Sequence, residues 1–116
     1  MSNPTAPKIK LNSGGVTYLL HFDFEAIAQA EEIVNRPLLT GLRQQDIQSP
    51  TINLVRAMLF ACLRNAHPTL SYEETKPLVT RKNLAEVWGK VLAAWTQGMA
   101  EPDEEAEANP TEASAN

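Results

Sequence analysis

The chain has 116 residues, a formal net charge of −4 and a single cysteine, Cys62. This length fits one domain with its own core and is too short for two. One cysteine cannot form an intramolecular disulfide, and no histidine and cysteine are spaced as zinc ligands, which excludes a disulfide-rich secreted scaffold and a zinc module. Apolar runs are too short for a membrane span and residues 1–7 do not resemble a signal peptide, so we expect a cytoplasmic protein.

The negative charge comes from the C-terminal part of the chain. Residues 100–116 hold six of the 14 acidic residues and none of the 10 basic ones, which leaves 1–99 with eight acids and a charge of +2. A segment of Ala, Glu, Pro, Thr, Ser and Asn buries too little apolar surface to offset the entropy of ordering it. We therefore predict a flexible N-terminus at 1–7, one globular domain at 8–99 and a disordered acidic tail at 100–116.

Residues 8–22 have the pattern of a β-hairpin. Polar and apolar residues alternate over 8–11 and again over 16–22, and the intervening segment ends in two glycines, which tolerate positive φ. One face of the hairpin carries the apolar side chains Ile9, Leu11, Val16, Tyr18, Leu20 and Phe22. Two strands alone are marginal in water, so we expect this face to pack on helices or a partner strand to complete the sheet.

Two helices are predicted next, at about 23–34 and 50–66. Asp23 can cap the first helix, which Asn35-Arg36-Pro37 ends. Ser49 followed by Pro50 reads as an N-cap with proline at the first helical position of the second helix, and His67-Pro68 is its stop. This second helix is apolar nearly all round, which indicates a central, packed position. Between the two helices, residues 38–42 are interpreted as a short apolar connection, which the polar residues 43–48 follow, and no helix is predicted there.

Two further helices are predicted at about 71–76 and 82–97. Ser71 and Glu74 form a capping box, and Pro77 keeps the helix that follows short. The last helix has one apolar stripe and Gly98 as its C-cap. That stripe contains Leu84, Val87, Trp88, Val91, Leu92 and Trp95, and we interpret its two tryptophans as core rather than as a cofactor site. The predicted class is mainly α (α+β), with the N-terminal β-hairpin packed on a compact bundle of about four helices.

No group of residues predicts catalysis, a cofactor or a metal. His21 and His67 have no nucleophile or carboxylate placed beside them by sequence, and we expect His67 to meet the last carbonyls of a helix. Cys62 lies in an apolar run and should be an inert core thiol. The pairs Glu31-Glu32 and Glu73-Glu74 are interpreted as solvated helix faces. Basic residues are scattered and the acidic tail opposes phosphate, so nucleic-acid binding is not favoured.

The second helix carries the one candidate binding surface. At 100° per residue, Arg56, Phe60 and Arg64 share one face at four-residue spacing, while the other faces are apolar enough to fill the core. Arginine and aromatic residues dominate interface hot spots, which favours a partner-binding patch. The alternative is that the hairpin or the last helix covers Phe60 and the arginines flank the seam.

The order of these elements supports a family resemblance. The segments that carry it are Phe22-Asp23-Phe24, Ala26-Ile27, Ala30-Glu31-Glu32, Leu38-Leu39-Thr40-Gly41-Leu42, Leu54 to Pro68 and Leu70-Ser71-Tyr72-Glu73-Glu74. Over residues 8–97 the chain resembles tail assembly chaperones of tailed phages, in the group related to the small tail-gene protein of gene transfer agents. Pro77 departs from the resemblance, because related sequences continue helically there.

The resemblance implies a protein that is not an enzyme. It would bind the tape measure protein, keep it soluble and help to recruit tail tube subunits in the cytoplasm of the bacterial host, and it would be absent from the mature virion. A programmed frameshift often gives such proteins a longer second product, and the sequence leaves that feature and the oligomeric state open. The competing class is a small helical transcription regulator or an antitoxin-like protein-binding module.

Overall fold

The computed structural model describes residues 9–100, which form a two-stranded hairpin and a layer of helices. The strands are β1 (Ile9–Ser13) and β2 (Val16–Leu20), and the helices are α1 (Phe24–Val34), α2 (Gln44–Gln48), α3 (Ile52–Leu63), α4 (Tyr72–Thr75), which continues as a 3₁₀ turn at Lys76–Leu78, and α5 (Leu84–Ala100). This confirms the predicted α+β class with an N-terminal hairpin. The predicted flexible N-terminus at 1–7 and all but the first residue of the predicted acidic tail lie outside the described residues.

A tight turn sets the register of the hairpin. Gly14 and Gly15 have φ of 58° and 79°, a conformation that a two-residue hairpin turn needs and that glycine adopts without strain. The antiparallel pairs run from Ser13 opposite Val16 to Ile9 opposite Leu20. Leu11 and Leu20 are buried, whereas Val16 is 47% exposed. Val16 therefore does not belong to the part of this face that packs on the helices, because it lies at the turn end of the strand.

The hairpin packs on the two longest helices. Helix α3 lies mainly against β2, and α5 lies mainly against β1. Two hydrogen bonds fix the outer side of the second strand: the His21 N–H donates to Cys62 O at 2.8 Å, and the Leu19 N–H donates to His67 Nε2 at 3.1 Å. His67 thus accepts from a strand instead of meeting helix carbonyls through its ring, which corrects its predicted role.

Helix α1 begins and ends as predicted. The Asp23 carboxylate accepts from the Ala26 N–H at 2.8 Å, and the helix ends at Asn35, which has the left-handed φ of 58°. The segment that follows contains α2, a helix that the sequence pattern did not predict. Asp46 fixes the first turn of α2. Its carboxylate accepts from the N–H of the N-cap residue Arg43 at 2.9 Å and from Arg36 Nη2 at 2.6 Å.

The start and end of α3 differ from the prediction. Its N-cap is Thr51, whose hydroxyl accepts from the Leu54 N–H at 3.1 Å, because Ser49 already terminates α2 through its N–H bond to Gln45 O. The helix stops at Leu63 instead of Ala66. One reason is that the Cys62 carbonyl, which a longer helix would use internally, bonds to the His21 N–H of the hairpin.

The predicted C-cap of the last helix is also wrong. Helix α5 continues through Gly98 to Ala100, the last described residue. A β-carbon at Gly98 would lie 2.4 Å from Phe22 O, so glycine is needed there for close approach of the helix to the chain after β2. Trp88 is buried and Trp95 is half-buried, with the Trp95 ring edge-to-face on Phe22 at 5.2 Å.

The core lies between the hairpin and the helices α1, α3 and α5. Its largest fully buried side chains include Leu11, Leu20, Phe22, Leu38, Met58, Leu59 and Leu63. Within residues 9–100, no helix has the length and apolar character that crossing a membrane requires.

Candidate partner-binding surface

Helix α3 presents its few polar residues on the side away from the core. Most of the helix is buried, including Val55, Met58 and Leu59. Arg56 and Phe60, one turn apart, are half-buried, whereas Arg64 follows the last helical residue and is exposed. The apolar faces of α3 fill the core, and this leaves Arg56 and Phe60 at the surface for other contacts.

Helix α4 supplies the contact to Phe60. The reciprocal bonds of the predicted capping box, Ser71 N–H to Glu74 and Glu74 N–H to Ser71 Oγ, are both present and start the helix beside α3. This places the Tyr72 ring edge-to-face on Phe60, with 5.4 Å between ring centroids. The ring that contacts Phe60 thus belongs to α4, and not to the hairpin or the last helix.

A cation extends this aromatic pair. Lys76 Nζ lies 5.1 Å from the centroid of the Tyr72 ring and 3.1 Å from the carboxylate of Glu73. The result is a continuous half-buried array of Phe60, Tyr72 and Lys76. We call these three residues together with Arg56 the α3–α4 surface.

Arg56 is the unusual member of the α3–α4 surface. Its Nε atom is buried without a hydrogen-bond partner, and no ion pair to its guanidinium occurs among residues 9–100. On the adjacent helix α4, the Glu74 carboxylate accepts from the Ser71 N–H and the Glu73 carboxylate pairs with Lys76. A half-buried arginine one helical turn from an aromatic residue, with no acceptor among residues 9–100, has the composition of an interface hot spot.

Arg64 points to a different neighbour. Its Nη1 donates to Gln29 Oε1 of α1 at 2.6 Å. Beside it, Asn65 Nδ2 donates to the Asp23 carboxylate at 2.7 Å and approaches His21 Nδ1 at 3.3 Å. The structure therefore brings Arg56 and Phe60 together on the α3–α4 surface and directs the third predicted residue, Arg64, toward α1.

The remaining chemistry-bearing residues have structural contacts. Cys62 is fully buried, as expected of a core thiol, and burial raises its pKa above the ordinary value. Glu31 is not simply solvated, because its Oε2 accepts from the Leu38 and Leu39 N–H groups at 2.7 and 3.0 Å; the Leu39 and then the Leu38 bond lower its pKa. No three His, Cys, Asp or Glu side chains in residues 9–100 are grouped to hold a metal ion.

Two members of the surface were missed by sequence reasoning. Tyr72 lies inside the capping box and Lys76 follows four residues later, a spacing that puts both on one helix face. That signal was available, but the path of residues 64–71, which decides that this face meets Phe60, has no sequence pattern.

Comparison of the chain with protein-family models, curated proteins and solved structures finds no match.

Proposed function

We propose that this protein is a tail assembly chaperone of a tailed phage, which binds the tape measure protein and helps to recruit tail tube subunits. It acts by binding and not by catalysis, in the cytoplasm of the bacterial host, and leaves before the virion is complete. The proposal rests on the family resemblance over residues 8–97. The structural feature that supports it best is the α3–α4 surface.

The composition of this surface suits a helical partner. A tape measure protein is a long amphipathic helix, and binding it calls for exposed aromatic edges bordered by charge. Phe60 and Tyr72 supply two half-buried aromatic rings, while Lys76 and Arg56, which has no ion-pair partner within residues 9–100, supply the charge. The partner segment would carry apolar residues one turn apart and a carboxylate for Arg56.

Co-expression with the tape measure protein of the same genome tests the proposal. We expect the wild-type chain to keep the tape measure protein soluble and to be recovered with it in a pull-down. Arg56→Ala and Phe60→Ala should each reduce recovery at least about tenfold, in the range of a hot-spot residue. Since Phe60 is half-buried, its replacement should also cost about 1–2 kcal/mol of stability, less than the loss of a fully buried phenylalanine.

Matched variants separate binding from folding. Phe24→Ala removes a ring that is 63% exposed on α1, and Arg81→Ala removes an exposed arginine outside the surface. Both should bind like wild type. If the two surface variants stay folded and retain full recovery, the α3–α4 surface is not the binding site. If wild type itself neither solubilises nor binds the tape measure protein, the proposed function is wrong.

A further inference from the structure

The two edges of the hairpin differ in how they are covered. On the outer side of β2, the Leu19 N–H is bonded to His67 and the His21 N–H to Cys62 O. On the outer side of β1, no hydrogen bond from residues 9–100 reaches the backbone of Lys10 or Asn12, and both residues are exposed. The β2 edge is thus bonded at Leu19 and, just past the strand, at His21, whereas within residues 9–100 no group bonds the β1 edge.

The register identifies which backbone groups face outward from β1. In an antiparallel pair, opposed residues alternate between exchanging two hydrogen bonds and exchanging none. The Leu19 N–H points away from β1, so Leu19 and its opposite residue Lys10 form a pair that exchanges none. Two positions along, Asn12 opposite Thr17 is of the same type. The N–H and C=O groups of Lys10 and Asn12 therefore point away from β2.

This edge has few of the devices that protect edge strands from pairing. Such strands are commonly blocked by proline, by a bulge or by charged side chains, especially lysine. β1 contains no proline, its register with β2 is continuous over all five residues, and Lys10 is its single charged residue. The strand is thus able to accept another strand along its full length.

We propose that the β1 edge binds the β1 edge of a second copy of this chain, forming a continuous four-stranded sheet across a two-fold axis at Leu11. In that register Lys10 lies opposite Asn12 of the second copy. Both residues have outward N–H and C=O groups, so each pair exchanges both of its backbone bonds. The two lysines are never directly opposed, and this avoids the like-charge contact that destabilises cross-strand pairs.

The choice of a second copy follows from this self-complementarity. A two-fold interface requires one patch to match itself, and the β1 edge does so in hydrogen bonding and in charge. Pairing along this short edge buries less surface than the roughly 800 Å² per partner of a stable interface. We therefore expect a weak dimer whose population depends on the protein concentration. The proposed interface uses the β1 edge, whereas the loop that carries His67 lies at the β2 edge. The dimer proposal does not depend on the proposed function.

Replacement of Lys10 gives the direct test on the full chain. Lys10→Pro deletes an outward N–H while leaving every bond within the hairpin, because proline is tolerated where an edge N–H faces solvent. The matched variant Lys10→Thr removes the same side chain and keeps the N–H. In sedimentation experiments over a concentration series, we expect a wild-type dimer, a dimer at least as tight for Lys10→Thr, and a dissociation constant raised roughly tenfold to a hundredfold for Lys10→Pro.

Amide hydrogen exchange on the wild-type chain gives an independent readout that requires no variant to fold. Protection at Lys10 and Asn12 should rise with protein concentration, while the Thr17 amide, which faces outward from the other strand, should not respond. A chain that is monomeric over the whole series would overturn the proposal. So would a dimer that Lys10→Pro leaves intact, or protection that appears only when another protein is added, which would make the edge a site for a foreign strand.

Discussion

The layer formed by the packed helices α3 and α5 and the connection at residues 35–51 are held in place by different forces. In the layer, buried apolar side chains such as Met58, Leu59 and Val91 pack together. In the connection, Leu38 is the one buried side chain, and carboxylates hold the backbone: Glu31 accepts from two successive N–H groups, and Asp46 joins Arg36 to the start of α2. The hydrophobic pattern specifies the first region. A few polar contacts specify the second, and they join residues that belong to different helices and loops.

Trp88 joins the two regions and should give the largest effect. It is 6% exposed, and its Nε1 donates to Ile47 O of α2 at 2.9 Å. Trp88→Ala should cost about 3–5 kcal/mol of unfolding free energy in chemical denaturation, the range for a large buried aromatic. Trp88→Phe keeps a ring but leaves the Ile47 carbonyl without its donor, which should cost about 1–3 kcal/mol. An unchanged midpoint for both variants would contradict the described packing.

Gly98 and Gly89 form a matched pair within the layer. Gly98→Ala would bring a β-carbon against the Phe22 backbone, so we expect a loss of about 1–3 kcal/mol from overpacking. A β-carbon at Gly89, an exposed position of α5, meets no atom within 4 Å, so Gly89→Ala should stabilise the helix by about 0.5–1 kcal/mol. Thermal unfolding of the two variants would show opposite signs. Equal effects would mean that α5 does not approach Phe22.

These two glycines also show where sequence reasoning ends. The hairpin, α1 with its Asp23 cap and the apolar stripe of α5 were predictable, because each depends on local pattern. Gly98 was predicted as a C-cap, since its contact with Phe22 requires knowledge of how α5 crosses the hairpin. Helix α2 was missed for the same reason, as the Arg36–Asp46 contact that supports it joins residues outside one local pattern.

The residues of the candidate surface also divide into those that the sequence predicted and those that it did not. Helical periodicity placed Arg56 and Phe60 together on α3, and the structure has both there. The partner ring of Tyr72 could not be predicted, because the loop between α3 and α4 sets it. The Arg64 contact with Gln29 of α1 likewise depends on the packing of two helices.

Arg36 tests how much the polar contacts of the connection contribute. Arg36→Met keeps the aliphatic stem and removes the ion pair to Asp46 and the bond to Gly41 O. Since the Arg36 side chain is 30% exposed, we expect a loss of only about 1 kcal/mol in chemical denaturation. Arg81→Met, at an exposed position, should stay within about 0.5 kcal/mol of wild type. A loss as large as that of Trp88→Ala would show that the two regions do not differ.

Acidification should loosen the connection and leave the layer in place. The pKa values of Glu31 and Asp46 are lowered from 4.5 and 3.8, Glu31 by the Leu39 and Leu38 N–H groups and Asp46 by the Arg43 N–H ahead of Arg36. Ionised carboxylates with lowered pKa values stabilise the fold above those ordinary values, and this contribution is lost as the pH falls through the lowered ones.

Amide NMR between pH 6 and 3 measures this effect residue by residue. The Leu38 and Leu39 resonances should titrate with a midpoint below 4.5, and Glu31→Gln should abolish that titration while Leu59 stays unchanged in both chains. A midpoint at or above 4.5 would show that the Glu31 bonds do not form in solution.

The burial of Cys62 turns the one thiol of the chain into a reporter of opening. Its Sγ contacts Leu59 O inside α3, and burial raises its pKa, so the reactive thiolate is scarce in the native state. A thiol reagent can then modify the protein only when α3 separates from its neighbours. The rate of labelling under native conditions would measure how often the centre of the domain opens, without any label being added to the sequence.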